Sequence, residues 1–555
     1  MSFFNAIESY ALEVNRALSP DWNLHLEEPS LRSGPDVINI LHQELGWEPH
    51  NIVEGRPRPD QFPLICYDTY RGWIVVLQWA SEHSMVAKGQ TDLLEFNDDQ
   101  TFFILSVPDP LQEEPETALK VFLSAIKKRK SSLVLAGIAT VFANLLALAV
   151  SFYAMQLYDR VIPLGAFETL FVLTVGVLFA LALDLVLRSL RAVIIDVEAQ
   201  NIDREVSEYF FARTQAIRLD ARPKMIGTLA SHLQGQDQIR QVLSSGSLFV
   251  LADLPFAVLF LLVIASIGGT LAIVPLVSLP IAVLFGLILA RIIRESSSRA
   301  LASGNQKNGQ IVEMLEAAET LKANRGGWFI LSRWNRLLSD IQHYDYPVKK
   351  ASAVAGTIFS TLQQATYVAV MCYGAYLASK AQLTTGALLA CSILVGRING
   401  PLVAQLPSLI VQWGYARFAL EMLDNILRLP LEASKSRGGL RPSNLNGPID
   451  VSGLTFRYGD NENIIGIDNL KISPGDRVAI IGPVGSGKST LLKILAGLYK
   501  PSTGKVTISG IDLFKLAEDI TRQHIGYLPQ DVRMLRGNLR ENLTMGLGGI
   551  EDNAL

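Results

Sequence analysis

Six apolar runs crowd the middle of this 555-residue chain: 131–157, 165–187, 247–266, 270–290, 353–379 and 383–411. A bilayer core takes about 20 consecutive apolar residues to cross, and each run reaches that length. Any one of them alone could be a buried core helix. Six together point to a membrane domain, and inside lipid a helix is the form in which one segment satisfies its own backbone hydrogen bonds. Composition agrees. Charged residues are 18% of the chain, against about 25% in a typical soluble protein, and mean hydropathy is +0.27.

Charge bias orients the runs. If all six span, Lys127 to Lys130, Arg188, Arg191, Arg291, Arg294, Lys349 and Lys350 lie on one side. The opposite side carries Arg160 and Lys380, with no basic residue in Ile267–Thr270. By the positive-inside rule both termini are cytoplasmic. The long polar stretches 189–246 and 292–352 then face the cytoplasm as helical extensions of the spans. Arg397 falls within the sixth run and Asp184 late in the second. Intramembrane charges usually face a bundle interior or a water-filled path. The plainer readings are an interfacial Asp184 and a structurally paired Arg397.

Residues 1–115 are different in kind. They hold 6 basic and 19 acidic residues, a charge of -13, which leaves +10 for the remainder. An acidic front disfavours nucleic acid and anionic lipid as partners. Helical spacing covers Ser2–Leu18 and Pro35–Leu45, and strands are predicted at Phe62–Tyr67, Trp73–Leu77 and Thr101–Val107. This is a small α/β domain. An acidic exit over Pro108–Pro115 leads to an amphipathic helix over Thr117–Ile126. Cys66, Cys372 and Cys391 offer neither a disulfide framework nor metal spacing. Met1–Tyr10 lacks the basic start and apolar core of a signal peptide.

Downstream, Gly482-Pro483-Val484-Gly485-Ser486-Gly487-Lys488-Ser489 fits G-x-x-x-x-G-K-[ST] without a mismatch. Arg477–Ile481 before it reads as a buried strand, and Thr490–Ala496 after it reads as a helix closed by Gly497. That strand–loop–helix setting is what a phosphate-binding loop requires. Its glycines let backbone N–H groups turn toward an anion, and the helix start adds partial positive charge. Lys488 would reach the β and γ phosphates of ATP, and Ser489 would hold Mg²⁺. Phe456-Arg457-Tyr458 precedes the loop, and an aromatic such as Tyr458 can stack on adenine. Lys505–Asp512 reads as a strand with its turn. Ile525–Asp531 reads as a strand ending at Gln530, which could reach Mg²⁺ or the attacking water.

Tyr458, the phosphate loop and Tyr527-Leu528-Pro529-Gln530 resemble the A-loop, Walker A and Q-loop of an ABC transporter, and six spans ahead of them resemble one exporter half. Met155-Gln156-Leu157-Tyr158-Asp159-Arg160-Val161-Ile162-Pro163 is similar to the first periplasmic turn of type I secretion ATPases, the haemolysin and large-adhesin exporters. Asp253-Leu254-Pro255-Phe256 fits that group too. The resemblance implies a multidomain membrane protein. It has a small α/β N-terminal domain (1–115), a six-helix exporter transmembrane domain (116–430), a linker (431–448) and a partial P-loop α/β nucleotide-binding domain (449–555). It implies ATP and Mg²⁺ as cofactors. The nucleotide would be held by Tyr458, Gly482, Gly485, Ser486, Gly487, Lys488, Ser489, Thr490 and Gln530, and the metal by Ser489 and Gln530. It implies a homodimer in the bacterial inner membrane that exports an unfolded protein through a membrane-fusion protein and an outer-membrane channel.

Two departures qualify what the resemblance implies. In that family the Q-loop is followed by an LSGGQ signature, a Walker B Asp with a catalytic Glu, and a switch His. The sequence here runs to Leu555 without them, so hydrolysis by this chain alone is not expected. The front domain resembles the cysteine-peptidase domain of some bacteriocin exporters in reduced form. The helix start Ser33-Gly34-Pro35-Asp36 has no Cys, and Arg71-Gly72-Trp73-Ile74-Val75-Val76-Leu77 has no His. A thiolate nucleophile needs a base within reach, so the domain is read as a degenerate peptidase that docks substrate. Tyr67, Trp73 and Trp79 are its candidate contacts, with core packing as the competing role. Cys66 reads as a buried thiol and His83 as no partner for it. The alternatives to a protein exporter are a non-hydrolysing docking subunit and an exporter of a small molecule or lipid.

Overall fold

The computed structural model describes residues 2–14, 34–107 with short breaks at 46, 54, 82, 89–92 and 98, 117–222, 245–432, 445–458 and 465–545, plus scattered positions between these stretches. The side chains of 243–254, 294–298 and 399–408 are outside the description, as are the acidic exit over 108–115 and most of the linker expected at 431–448. Two compact units emerge, Met1–Glu113 with Glu432–Leu555, and Glu114–Leu431.

The front domain is one antiparallel sheet with a helix on it. Its strands are β1 (Asn51–Val53), β2 (Leu64–Asp68), β3 (Gly72–Trp79), β4 (Ser84–Ala87), β5 (Leu94–Glu95) and β6 (Thr101–Ile104), in the order β1-β6-β2-β3-β4-β5. Alternation along β2 and β3 sends Ile65, Tyr67, Trp73 and Val75 to one face, where they meet Phe3, Phe4, Ile7 and Tyr10 of α1 (Phe3–Glu13). Leu64, Cys66, Ile74 and Val76 go to the other face, with Met85 and Phe102. Both faces are therefore covered, and every residue of β2 is buried. A short 3-10 turn, Pro35–Ile38, leads into α2 (Asn39–Gln43). Two polar ties pin α1. Lys88 pairs with Glu13 at 2.8 Å, and the Tyr10 hydroxyl donates to the Leu105 carbonyl at 3.3 Å. The three predicted strands are β2, β3 and β6. The remaining three are two to four residues long, too short to show a period.

In the second unit, α3 (Ala118–Lys128) is followed by six long helices: α4 (Lys130–Gln156), α5 (Phe167–Gln215), α6 (Ser245–Gly268), α7 (Ile273–Glu316), α9 (Gly327–Ser379) and α10 (Thr385–Leu427). A short α8 (Ala318–Ala323) turns between α7 and α9. Among the described residues, Lys130–Leu164, Phe167–Gln215 and Pro255–Ile293 are long and apolar enough to cross a membrane. Small and polar residues of α4, namely Ala136, Thr140, Ala143, Asn144, Ala147 and Ser151, form its buried stripe; the helix packs on α5 and α10. Small side chains allow such close approach where no hydrophobic effect separates helix from lipid.

Both ends of this bundle are tied. Beyond α4 the chain makes one π-helical turn, Leu157–Val161, which carries Asp159. The Asp159 carboxylate accepts from the Thr384 hydroxyl at 2.6 Å and from the Gly386 N–H at 2.8 Å. Thr384 is itself the N-cap of α10. A carboxylate is favoured there because the helix start exposes unsatisfied N–H groups and partial positive charge. Gly386 is required, since a Cβ would run into the Met155 carbonyl and Asp159. At the other end Arg213 of α5 donates to the Leu427 carbonyl at 2.7 Å, and Ile217 bridges Leu431. The N–H of Ala118, first in α3, donates to Asp424 at 2.6 Å.

The third part is a four-stranded antiparallel sheet, β10-β9-β7-β8, from β7 (Ile449–Phe456), β8 (Ile465–Ile472), β9 (Thr503–Ile508) and β10 (Ile511–Asp512), with α11 (Lys488–Leu495) as its main helix. The strand predicted at Lys505–Asp512 is β9 with β10. Two other predicted strands are absent. Arg477–Ile481 and Ile525–Gln530 are exposed and irregular, and Ile481 is 93% accessible. An apolar run becomes a strand only beside a ladder partner, and no described strand lies against either segment.

Removing the Asp159 clasp has a local signature. Asp159→Ala should lower stability in detergent by about 1–3 kcal/mol and speed amide exchange at Gly386 and Ala387; unchanged exchange there would show that the clasp does not form. Asp68 gives a pH test. Burial raises its pKa, but hydrogen bonds from Gln100 and the Arg71 and Tyr70 N–H groups, with the Arg71 charge, bring it below the ordinary carboxylate range. A depressed carboxylate stabilises above its unfolded pKa and loses that contribution as pH falls through its folded pKa. The stability lead of wild type over Asp68→Asn should therefore be full at pH 6–7 and shrink below about pH 4; a lead that grew on acidification would contradict the assignment.

Candidate functional site

The phosphate loop hangs between an open turn and a helix. After β8, Gly475 takes a φ of +89° and Asp476 caps the Ser473 N–H at 2.7 Å. The chain then runs to Gly482. Gly485 and Gly487 sit at φ +86° and +87°, the left-handed region that glycine enters without strain. Gly487 is the N-cap of α11, with no side-chain cap on the helix. The first N–H groups of that helix have no intrahelical acceptor. The Lys488 ammonium lies across the loop, donating to the Gly482 carbonyl at 2.8 Å and the Pro483 carbonyl at 2.7 Å, with the Ser486 hydroxyl at 3.5 Å. A Cβ on Gly482 would meet Ser486 Oγ at 2.9 Å. Ammonium, helix start and the exposed Ser489 make a donor set that fits the phosphates of a nucleotide.

Tyr458 stands beside the same helix. Its hydroxyl is 3.2 Å from Thr490 Oγ1, in the first turn of α11. Its ring is perpendicular to Phe456 (centroids 5.0 Å, 87°) and to Tyr499 (5.9 Å, 89°), while Phe456 and Tyr499 stack at 5.5 Å and 19°. The sequence pointed to Tyr458 and Thr490; it gave no role to Tyr499. Gln530 is exposed and makes no hydrogen bond to Ser489 among the described residues; the loop and the start of α11 bring Gly482 to Gly487, Lys488, Ser489 and Thr490 together, with Tyr458 on Thr490.

The matches to known families fall on these two regions. Residues 133–402 match the ABC transporter transmembrane region, and 466–554 match the ABC transporter ATP-binding domain. The chain carries the membrane and ATP-binding domains of an ABC transporter. Similar curated proteins are translocation and transport ATP-binding proteins. Among them are the exotoxin translocation ATP-binding protein PaxB of Pasteurella aerogenes (27% identical over 76% of this chain and 60% of that protein) and the alpha-hemolysin translocation ATP-binding protein HlyB of Escherichia coli O157:H7 (26%, 76% and 60%). The lactococcin-A transport/processing ATP-binding protein LcnC of Lactococcus lactis is 24% identical over 80% of this chain and 62% of its own length. The chain thus spans about 60% of the length of these relatives. A bacterial Atm1-family ABC exporter solved with ATP bound shares the fold, with TM-score 0.67, 18% identity, and 76% and 75% of the two chains covered.

The other candidate groups lie elsewhere in this ABC transporter chain. Tyr67 and Trp73 pack in the core of the front domain, with Trp73 on Phe3 at 4.9 Å. Trp79 is half-buried, with the Arg56 guanidinium 4.5 Å from its ring centre. Asp184 holds Arg188 Nε with both oxygens, at 2.8 and 2.9 Å, which is the structural role for that charge. Arg397 is half-buried on α10. No cluster of His, Cys, Asp and Glu suited to a metal occurs among the described residues.

Cys66 is fully buried in β2, and burial, then the Asp68 charge, pushes its thiol pKa well up. His83 is exposed on the β3–β4 turn. A buried, protonated thiol is not a nucleophile. In the folded chain at pH 8, iodoacetamide should leave Cys66 unmodified until denaturant is added, as read by peptide mass; rapid native alkylation would reopen a peptidase role.

Proposed function

We propose that this chain is one half of an ATP-driven protein exporter in the bacterial inner membrane, acting as a homodimer with six spans per copy and both termini in the cytoplasm. The observation that carries the reading is the phosphate loop, with Lys488 folded across it and Tyr458 anchored to Thr490 at the same helix start. The adenine would stack on Tyr458. The triphosphate would lie on the backbone of Gly482, Gly485, Ser486, Gly487 and Thr490, with Lys488 neutralising its charge. Ser489 and, after movement toward the loop, Gln530 would hold Mg²⁺, whose chemistry when bound is charge neutralisation at the phosphates. The named activities of PaxB and HlyB, toxin translocation, support an unfolded protein as cargo. On that reading a membrane-fusion protein and an outer-membrane channel complete the path, and the front domain docks cargo without cutting it.

A non-hydrolysing docking subunit is the second reading. It is supported by the irregular, exposed backbone over 526–530, where the expected strand ending at Gln530 is not formed.

Nucleotide binding by the full chain in detergent tests the first reading. Lys488→Ala should weaken Mg-ATP binding at least about 10-fold, the loss of a charge-assisted contact. Equal affinity of wild type and variant would refute the site. Phosphate release then separates the two readings: turnover abolished by Lys488→Ala favours the exporter, and binding without turnover favours the docking subunit.

A further inference from the structure

We propose that Tyr499 is a positioning residue for nucleotide binding: it holds the Tyr458 ring in the orientation that a base stacks on. The assignment rests on the reading of Tyr458 as the base-stacking ring and names what fixes that ring in place.

Tyr458 follows β7 by two residues. A ring on such a strand exit has its own torsions free unless neighbours fix them. Three contacts do so. Thr490, buried in the first turn of α11, meets the phenol oxygen at 3.2 Å. Phe456 and Tyr499 supply two ring contacts at right angles to Tyr458. Phe456 belongs to the same strand. Tyr499 is the one ring brought from the far end of α11.

The path of the chain explains how. Helix α11 ends at Leu495, and Gly497 takes a φ of +71°. The N–H groups of Leu498 and Tyr499 both turn back onto the Lys493 carbonyl, at 2.9 and 3.2 Å. This tight exit returns Tyr499 to the side of the helix that carries Thr490. There it is 7% exposed and stacked on Phe456. The Lys493 ammonium lies over its ring, 5.1 Å from the centre, and 3.4 Å from its hydroxyl. Start and exit of one helix therefore grip the same ring. That helix also closes the phosphate loop, so the base platform and the phosphate cradle share one rigid ruler.

A ring that acts through Tyr458 affects the base and spares the phosphates. The experiment compares ATP with inorganic tripolyphosphate, both titrated calorimetrically onto the full chain in detergent. Tyr499→Leu should weaken ATP about 3- to 10-fold, the range of an aromatic pair, and leave tripolyphosphate unchanged. Tyr499→Phe keeps the ring and should restore ATP affinity. In the double variant Tyr458→Ala/Tyr499→Leu, the second change should add nothing to the loss from Tyr458→Ala alone, because its effect passes through the ring already removed. Equal weakening of both ligands by Tyr499→Leu, additive losses in the double variant, or failure of Tyr499→Phe to restore binding would each overturn the proposal. If Tyr458→Ala leaves ATP affinity intact, the reading of Tyr458 itself falls, and that result is distinct from the other three.

Discussion

Helix α11 does two jobs that constrain each other. Its N-terminus has to stay open, because the unsatisfied N–H groups there are what an anion is drawn to. The helix is only eight residues long, too short to hold itself together by propensity. It is held instead by burying Leu491 and Ile494 and by the compact turn at Gly497. The loop glycines then complete the cradle at positive φ, where other side chains are strained. Each of these requirements appears as a residue choice between 482 and 499, so a short stretch of chain encodes cradle, helix and aromatic support together.

In the membrane unit the governing constraint is different. Apolar helices in lipid gain little from one another's apolar faces, so small residues, hydrogen bonds and helix ends fix the arrangement. The stripe from Ala136 to Ser151 lets α4 approach its neighbours closely. The helix ends are then tied by charged or polar groups aimed at backbone atoms: Asp159 at the start of α10, Arg213 at its last carbonyls, Asp424 at the start of α3. In all three the sign of the charge matches the helix terminus it meets.

Much of this was legible in the sequence, and the reasons differ by element. The long helices are visible because 20 or more apolar residues leave few alternatives. The phosphate loop is visible because only glycine serves at 485 and 487 and only a cation at 488. β2, β3 and β6 show as apolar runs, whereas β1, β4 and β5 are too short to declare a period. The runs at 477–481 and 525–530 misled because strand formation depends on a partner as well as on composition. Tyr499 could not be found by spacing, since its contact with Tyr458 is made through the Gly497 turn, 41 positions away in the chain.

The Met155–Pro163 segment shows how a short sequence motif reduces to physical chemistry. Its Asp159 needs a donor pair, and α10 offers one only where Thr384 caps the helix and Gly386 exposes its N–H. Gly386 in turn has no room for a side chain, because the carboxylate and the Met155 carbonyl fill that space. The π-helical turn at Leu157–Val161 accommodates one extra residue and sets Asp159 over the helix start. The three residues are more than 220 positions apart in the chain at their widest, yet each is acceptable only in the presence of the other two. A turn that looks like a local motif is half of a joint whose other half lies at the start of the last helix.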